Sequence, residues 1–267
     1  MRTRAPWWVV LLIVAGACQQ QTTDRTLVDD LRVLAIRATP PEAAPGATVQ
    51  IDALVADPKG GGRAVSAAWG ICTPDFVKGV SSCAEPGRTL PAGVGTSLSF
   101  TVGAGALDTV PPEQQLRGID LFLVVSAHAD ANNAEPARDV IAFKKLRVST
   151  SPTPNRNPKL IRFALGGDGS GPYAAAPGEV VELEVSATLD SYESYVDATG
   201  MQQKEGLKFS WLQTAGEYDT SINFQDADGA VRNRWIAHKG APPATLWVVA
   251  RDGRGGVAWA RRDVIAK

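Results

Sequence analysis

The sequence predicts an all-β protein made of two tandem β-sandwich domains behind an export signal. Short apolar runs separated by turn residues, a repeated pattern in the two halves, and an N-terminal segment of different character lead to this prediction. The chain has 267 residues, with 18 Pro and 26 Gly that fall between the apolar runs, as in proteins rich in strands and turns. With 44% hydrophobic and 21% charged residues, it can build a core and is not of the disordered class.

The N-terminus has a basic, then apolar, then small-residue order that ends at a cysteine. Arg2 and Arg4 precede an apolar run at residues 7–14, and Ala15-Gly16-Ala17 lead directly to Cys18. The run is far shorter than the ~20 residues that a membrane-spanning helix needs, which favours removal as a signal peptide. This order is typical of bacterial lipoprotein signals and predicts lipidation at Cys18.

The alternative is an ordinary secretory signal, cleaved near Ala17 or beyond. Lipoprotein signals usually carry Leu, Val or Ile three residues before the cysteine, where this chain has Ala15. Lipidation would add a diacylglyceryl thioether and an amide-linked acyl chain of the palmitate type, and more than one buried chain gives stable anchoring. Gln19 follows the cysteine. The enteric sorting rule uses Asp there for inner-membrane retention, so Gln19 favours the outer membrane.

Net charge and cysteine content limit the classes of function that fit this sequence. The chain has 27 Lys+Arg and 28 Asp+Glu, so loss of Arg2 and Arg4 leaves 25 − 28 = −3, without the basic excess of a nucleic-acid binder. If Cys18 is lipidated, Cys72 and Cys83 remain, and an oxidising compartment favours a disulfide between them. A metal or redox pair is the alternative, but the spacing fits no zinc pattern.

The two halves of the mature chain repeat one unit. Residues 44–53 align without a gap with residues 176–185; both begin Ala-Pro-Gly and continue with alternating apolar and polar side chains. Such alternation marks a strand with one buried face. The segment Arg-Asp-Val-Ile-Ala at 138–142 recurs at 262–266.

Other strands complete each copy. We predict opening strands at 31–38 and 159–165, and tryptophan-bearing strands at 65–71 and 207–212; only residues 112–117 indicate a helical turn. Roughly seven short strands around a central Trp, in a unit of about 110–120 residues, are typical of an immunoglobulin-like sandwich.

Three segments resemble those of lipoproteins with tandem immunoglobulin-like or PKD-like domains, common in myxobacterial-type genomes. They are residues 28–37 (Val-Asp-Asp-Leu-Arg-Val-Leu-Ala-Ile-Arg), 210–216 (Ser-Trp-Leu-Gln-Thr-Ala-Gly) and 249–256 (Val-Ala-Arg-Asp-Gly-Arg-Gly-Gly). The resemblance covers nearly all of the mature chain and implies fold and location, but no catalytic residues.

These observations divide the chain into five segments. They are a signal peptide (1–17), a lipidated tether (18–29), an immunoglobulin-like sandwich (30–149), a Pro-rich linker (150–158) and an immunoglobulin-like or PKD-like sandwich (159–267). The linker composition predicts an extended, semi-rigid spacer, which would project the second domain away from the anchor.

No familiar catalytic or metal-binding motif occurs. The segment 167–171 has the wrong spacing for a nucleophile elbow, and Ser-x-x-Lys, His-Glu-x-x-His and Gly-x-x-x-x-Gly-Lys are missing. Asp226-Ala-Asp228-Gly229 starts like a calcium loop, but Ala230 and Ala237 occupy the fifth and twelfth positions. We therefore predict turns at the Asp-rich segments, with no cofactor, no metal and no enzymatic activity.

The second copy carries Trp211, Trp235, Trp247 and Trp259, whereas the first copy has Trp69 alone. Trp211 fits a sandwich core, so Trp235, Trp247 and Trp259 are the candidate binding surface; packing in the core is the alternative. Exposed Trp is favoured at interfaces.

The leading functional prediction is a non-catalytic binding, adhesion or scaffolding protein, anchored in the cell envelope by lipid. Its partner would be an envelope protein or a glycan. The alternatives are a lipid-anchored carbohydrate-binding module that uses the second-domain aromatics, and a glycan hydrolase with an unrecognised carboxylate pair.

Overall fold

A computed structural model describes residues 24–72, 80–85, 87–197, 200–225, 229–240 and 242–267. The predicted signal peptide and Cys18 lie outside the described residues. One α-helix, α1 (Pro112–Gln115), and three 3-10 turns (Pro58–Gly60, Val80–Ala84, Leu189–Ser191) occur in the described ranges. No helix among them is long and apolar enough to cross a membrane.

The described chain is otherwise built from strands. They are β1 (Arg32–Thr39), β2 (Glu42–Ala43), β3 (Thr48–Ala56), β4 (Val65–Cys72), β5 (Thr89–Val94), β6 (Ser97–Thr101), β7 (Ile119–Ala129), β8 (Arg138–Val148), β9 (Leu160–Leu165), β10 (Tyr173–Ala175), β11 (Val180–Ala187), β12 (Ser194–Val196), β13 (Gln202–Lys204), β14 (Leu207–Gln213), β15 (Glu217–Tyr218), β16 (Ile222–Gln225), β17 (Ala230–Ile236), β18 (Ala244–Arg251) and β19 (Val257–Ala266).

Each half of the chain forms two facing sheets with a core between them. The first half has sheets of order β1-β3-β6 and β2-β8-β7-β4-β5, and the second has β15-β17-β11-β9 and β10-β19-β18-β14-β16. In each half the last strand pairs in parallel with a short early strand, β8 with β2 and β19 with β10. The fold is all-β, with immunoglobulin-like β-sandwich domains, as predicted. The hairpin β12-β13 is an addition to the second domain.

A central tryptophan anchors each core, as the sequence predicts. Trp69 on β4 is 3% exposed and its indole N–H donates to the carbonyl of Gly95 at 2.6 Å. Trp211 on β14 is 1% exposed, and its N–H donates to the side-chain oxygen of Asn223 at 2.7 Å. Because a buried indole N–H needs an acceptor, these bonds let both rings lie inside the sandwiches.

The match between residues 138–142 and 262–266 is not structural, and this part of the repeat prediction is wrong. The parallel pairing places Val148 beside Ala43 and Ala266 beside Ala175. Lys144, not Arg138, therefore occupies the place of Arg262. Both of these cations are buried and donate to backbone carbonyls, which is the feature that the two domains share at this position.

The predicted disulfide is confirmed. Cys72 and Cys83 are bonded, with 5.7 Å between their Cα atoms, and both are almost completely buried. The bond ties the end of β4 to the 3-10 turn Val80–Ala84, where the side chains pack against Val124 on the outer face of β7. The hydroxyl of Thr89 donates to the carbonyl of Cys83 at 2.6 Å and links this turn to β5.

Candidate functional site at the domain junction

The two sandwiches pack against each other through an apolar interface. The second domain contributes the outer faces of β18 and β19 and the end of β14. The first domain contributes β1, β3 and the segment before β1. The buried members of this cluster are Val28, Leu34, Ala35, Leu212, Trp247, Val249 and Val257, with Leu54, Ala56 and Trp259 at its edge. The domains are therefore joined by a hydrophobic core of their own, which we call the junction core.

The predicted exposed aromatic surface is wrong for two of its three residues. Trp235 is 2% exposed in the second-domain core, where its N–H donates to the carbonyl of Ala215 at 3.0 Å. Trp247 is 6% exposed in the junction core. Trp259 is half-buried at the edge of that core, and the guanidinium carbon of Arg37 lies 4.4 Å from its ring centroid.

A signal for this burial is present in the sequence. On β18, Leu246 and Val248 face the second-domain core, while Trp247 and Val249 face the junction core. A strand that is apolar on both faces indicates cover on both sides. Trp247 and Trp259 do meet a partner surface, and that surface is the first domain of the same chain.

The linker packs in the junction and is hydrogen-bonded to both domains, so it does not form a free spacer. Asn155 is 1% exposed; its backbone N–H donates to Glu42 at 2.8 Å and its side-chain amide donates to Asp252 at 3.1 Å. The side chain of Asn157 donates to the carbonyl of Ala38 at 2.7 Å and accepts from the N–H of Val257 at 2.8 Å. The expectation of an extended spacer that projects the second domain outward is therefore wrong.

A buried charge cluster lies beside the linker, centred on the turn between β18 and β19. Arg254 reaches Glu42 of the first domain at 3.3 Å and Glu205 of the second at 2.9 Å, and lies 3.6 Å from Glu193. Its guanidinium also covers the ring of Tyr195, 4.6 Å from the centroid. One arginine thus connects carboxylates from both domains.

Asp252 shapes the turn that presents this arginine. Its carboxylate accepts the backbone N–H groups of Arg254, Gly255 and Gly256 at 2.8–2.9 Å. Gly255 has a φ of 124°, which a residue with a side chain rarely adopts. From the first domain, the ammonium of Lys144 donates to the carbonyl of Gly255.

Two groups of this cluster have strongly shifted pKa values. Burial, together with the charge of Asp252, raises the pKa of Glu205 to about 7, while Arg254 partly opposes the shift. Burial lowers the pKa of Lys144 to about 8, and the charge of Asp252 partly opposes that shift.

The segment before β1 forms a strap across the junction. Val28 is 1% exposed in the junction core, and its N–H donates to the carbonyl of Gln213 at 2.7 Å. The N–H of Gln213 donates back to Thr26 at 2.9 Å. These residues, 24–28, therefore bind the second domain before the chain enters the first. The expectation that this N-terminal segment leads to the first domain alone is wrong, because it contacts both domains.

We expect Val28→Ala to lower the free energy of unfolding by about 1–2 kcal/mol, because it removes two buried methyl groups from the junction core. Urea unfolding followed by tryptophan fluorescence measures the change. Arg25→Ala is the matched control, since Arg25 is exposed in the same strap. Equal stability of the two variants would contradict the docking of the strap.

An open cleft of about 390 Å³ lies next to the charge cluster, between the two domains. Its walls come from the residues just after α1, from β8, from β12 and the residue after it, and from the turn of Arg254. Leu116 and Val196 are exposed apolar residues in these walls, and Arg117 and Arg147 are cationic ones. The mixture of apolar and charged groups makes the cleft a candidate contact surface.

The remaining candidate residues have structural surroundings. His128 lies between Asp139 and Asp130, at 2.7 and 3.1 Å, and the hydrogen bond to Asp139 is the main cause of its raised pKa. Asp168 accepts the N–H of Ser170 within its turn. Asp226 and Asp228 lie outside the described residues. Within the described ranges, no group of three His, Cys, Asp or Glu side chains is arranged to hold a metal ion.

Comparison with known proteins gives structural likenesses alone. No family model matches the chain, and no curated protein matches it. The D0-D1 domain of Intimin is 13% identical, with 87% of this chain and 98% of that chain covered and a TM-score of 0.26.

Two further solved structures are similar over part of their length. The adhesin InvE of Yersinia pseudotuberculosis is 13% identical, with 88% of this chain and 60% of that chain covered and a TM-score of 0.25. A DUF4785 family protein from Legionella pneumophila is 8% identical, with 86% and 56% covered and a TM-score of 0.29. At these identities and TM-scores, none of the three indicates what this chain does.

Proposed function

We propose that the chain is a cell-envelope lipoprotein, anchored through Cys18, that acts as a non-catalytic binding, adhesion or scaffolding protein. The basic, apolar and small-residue order that ends at Cys18 supports the anchor, and the strap indicates which parts of the protein an anchor there would hold. Five residues separate Cys18 from the described residue Asp24, and the six steps between these two Cα atoms span roughly 20 Å at most, at ~3.3–3.6 Å per residue. A lipid on Cys18 would hold both docked domains close to the membrane as one body.

The docked arrangement supports one orientation of an anchored protein, in which the end remote from the strap faces outward. β1 has eight residues and spans roughly 26 Å at ~3.3 Å per residue. It begins next to the strap and ends near the charge cluster, since the carbonyl of Ala38 binds the linker side chain of Asn157. The cleft with Leu116 and Val196 therefore lies at the end remote from the strap, where an anchored protein would meet an envelope protein or glycan.

The anchor is tested by mass spectrometry of the mature N-terminus and by fractionation of cells that produce the wild type or Cys18→Ala. We expect the wild type to carry the lipid at Cys18 and to sediment with the outer membrane, and Cys18→Ala to leave the membrane fraction. Gln20→Ala is the matched control and should stay anchored. An unmodified N-terminus beyond Cys18 would overturn the lipoprotein proposal.

The binding role is tested separately by chemical cross-linking on intact envelopes. We expect Val196→Asp, in the cleft, to reduce the cross-linked species several-fold. Ile161→Asp is the control, because Ile161 on β9 is exposed to a similar extent, 61% against 68% for Val196, and does not line the cleft. Identical cross-linking of both variants and the wild type would exclude the cleft as the contact surface.

A further inference from the structure

The charge cluster joins the domains through the guanidinium of Arg254, which binds carboxylates of both domains. Arg254 belongs to the second domain, and Glu42, its cross-domain partner, is 8% exposed. Glu42 also accepts the hydroxyl of Ser149 at 2.5 Å and the N–H of Asn155 at 2.8 Å. This carboxylate therefore has a complete set of donors only while the linker and the second domain are docked on it.

Glu205 lacks such a set. Glu205 is 3% exposed. One of its carboxyl oxygens accepts a hydrogen bond from Arg254, and the other is buried without a hydrogen-bond partner. A buried charged oxygen without a donor is unfavourable, so the geometry around this oxygen favours a neutral carboxylic acid. An ionised Glu205 would also draw Arg254 towards its own domain and away from Glu42.

The charged groups around Glu205 come from every element packed near it. Asp252 and Arg254 face it from the turn between β18 and β19, Glu193 from the segment before β12, and Arg156 from the linker. Glu42 on β2 joins the cluster through Arg254, and Lys144 on β8 interacts with Asp252 and with Arg251 at the end of β18. Arg254 already contacts two other carboxylates, Glu42 and Glu193. Ionisation of Glu205 adds a third negative charge at the same guanidinium, and the charges of Asp252 and Glu193 oppose this ionisation.

We propose that the docking of the two domains depends on one proton, an arrangement we call the proton-dependent clasp. Glu205 keeps this proton while the domains are docked. Loss of the proton to solvent weakens the Arg254–Glu42 contact and loosens the docking of the domains. This inference is independent of lipid anchoring. It concerns the docking of the two domains in any full-length chain.

The direction of the pH dependence follows from the pKa of Glu205, which burial raises from 4.5 to about 7 in the docked structure, with Asp252 and Glu193 adding to the shift. We take 4.5 for the undocked state, in which solvent reaches this carboxyl group. A raised pKa contributes stability that is fully present below 4.5 and is lost as the pH rises through about 7. Undocking should therefore become about tenfold more favourable between about pH 6 and about pH 8. Lys144, whose pKa is lowered to about 8, opposes this by about twofold in the same range, which leaves a net change of about fivefold.

Hydrogen exchange of two amides in the full-length protein measures this change. The N–H of Asn155 binds Glu42 and the N–H of Val257 binds Asn157, so both report docking. After correction for the intrinsic pH dependence of exchange, we expect their protection to fall about fivefold between about pH 6 and about pH 8. Protection of Val125, in the first-domain core, should change less.

Glu205→Gln mimics the protonated acid and should remove the loss of protection, leaving the small opposite effect of Lys144. Glu217→Gln is the matched control, since Glu217 is exposed on β15, and should behave as the wild type does. Equal pH responses in the wild type and Glu205→Gln would overturn the proposal. If Glu205→Gln does not fold, carboxyl ¹³C NMR titration of the wild type decides: a midpoint near 7 supports the clasp, and one near 4.5 overturns it.

Discussion

Trp247→Ala is expected to lower the free energy of unfolding by ~3–5 kcal/mol, the usual loss for a buried tryptophan. The ring is 6% exposed in the junction core, where Leu34 and Ala35 of the first domain and Leu212 of the second belong to the same cluster. Its removal leaves a cavity between the domains as well as the lost apolar contact. Urea unfolding, followed by the fluorescence of the remaining tryptophans, gives the change.

Trp259→Ala is the matched control on the neighbouring strand. Trp259 is half-buried at the edge of the junction core, and its main polar contact is the guanidinium of Arg37. We expect a smaller loss of about 1–2 kcal/mol, from partial apolar burial and one cation–π contact. If Trp247→Ala leaves stability unchanged and instead abolishes binding to a partner, the junction core is wrong and the exposed aromatic surface is reinstated.

The double variant Cys72→Ser/Cys83→Ser is expected to lose about 3 kcal/mol, the chain-entropy value for a loop of about 12 residues. Both sulfurs are buried against Val124, so the hydroxyls that replace them add a desolvation cost. The effect should be confined to the first domain, because the second domain contains no cysteine.

Hydrogen exchange separates this local effect from a global one. Amides of β4 and β5 should lose protection in the double variant, whereas those around Trp211 on β14 should keep it. Chemical reduction of the wild type should reproduce the loss without the hydroxyl cost. Equal loss of protection in both domains would contradict the assignment of the disulfide to the first-domain loop.

The strands of each sandwich could be predicted from the sequence because period-two alternation reports one buried face directly. The predicted strand at 65–71 corresponds to β4 (Val65–Cys72), the one at 207–212 to β14 (Leu207–Gln213), and the helical turn to α1 (Pro112–Gln115). The disulfide followed from the compartment and the number of cysteines. Each of these inferences needs only local pattern or composition.

The junction could not be predicted in the same way. Which outer face of a sandwich meets another domain depends on three-dimensional placement, and the polar linker composition gave the wrong expectation for Asn155, whose amide groups find carboxylates on both sides. The role of Arg254 was missed because its partners Glu42, Glu193 and Glu205 are widely separated along the chain. The two-faced apolar pattern of β18 was the one usable signal.

The position of the strap determines how a pulling force would enter the protein. A tether attached before Asp24 would load the parallel bridge between Leu27 and Gln213 first. There the N–H of Val28 donates to the carbonyl of Gln213, and the N–H of Gln213 donates to the carbonyl of Thr26. Tension would therefore reach both sandwiches at the same point, and neither would be stretched in series behind the other. Under drag or contact with a neighbouring surface, the hydrogen bonds of this short strap would carry the load before the two hydrophobic cores do.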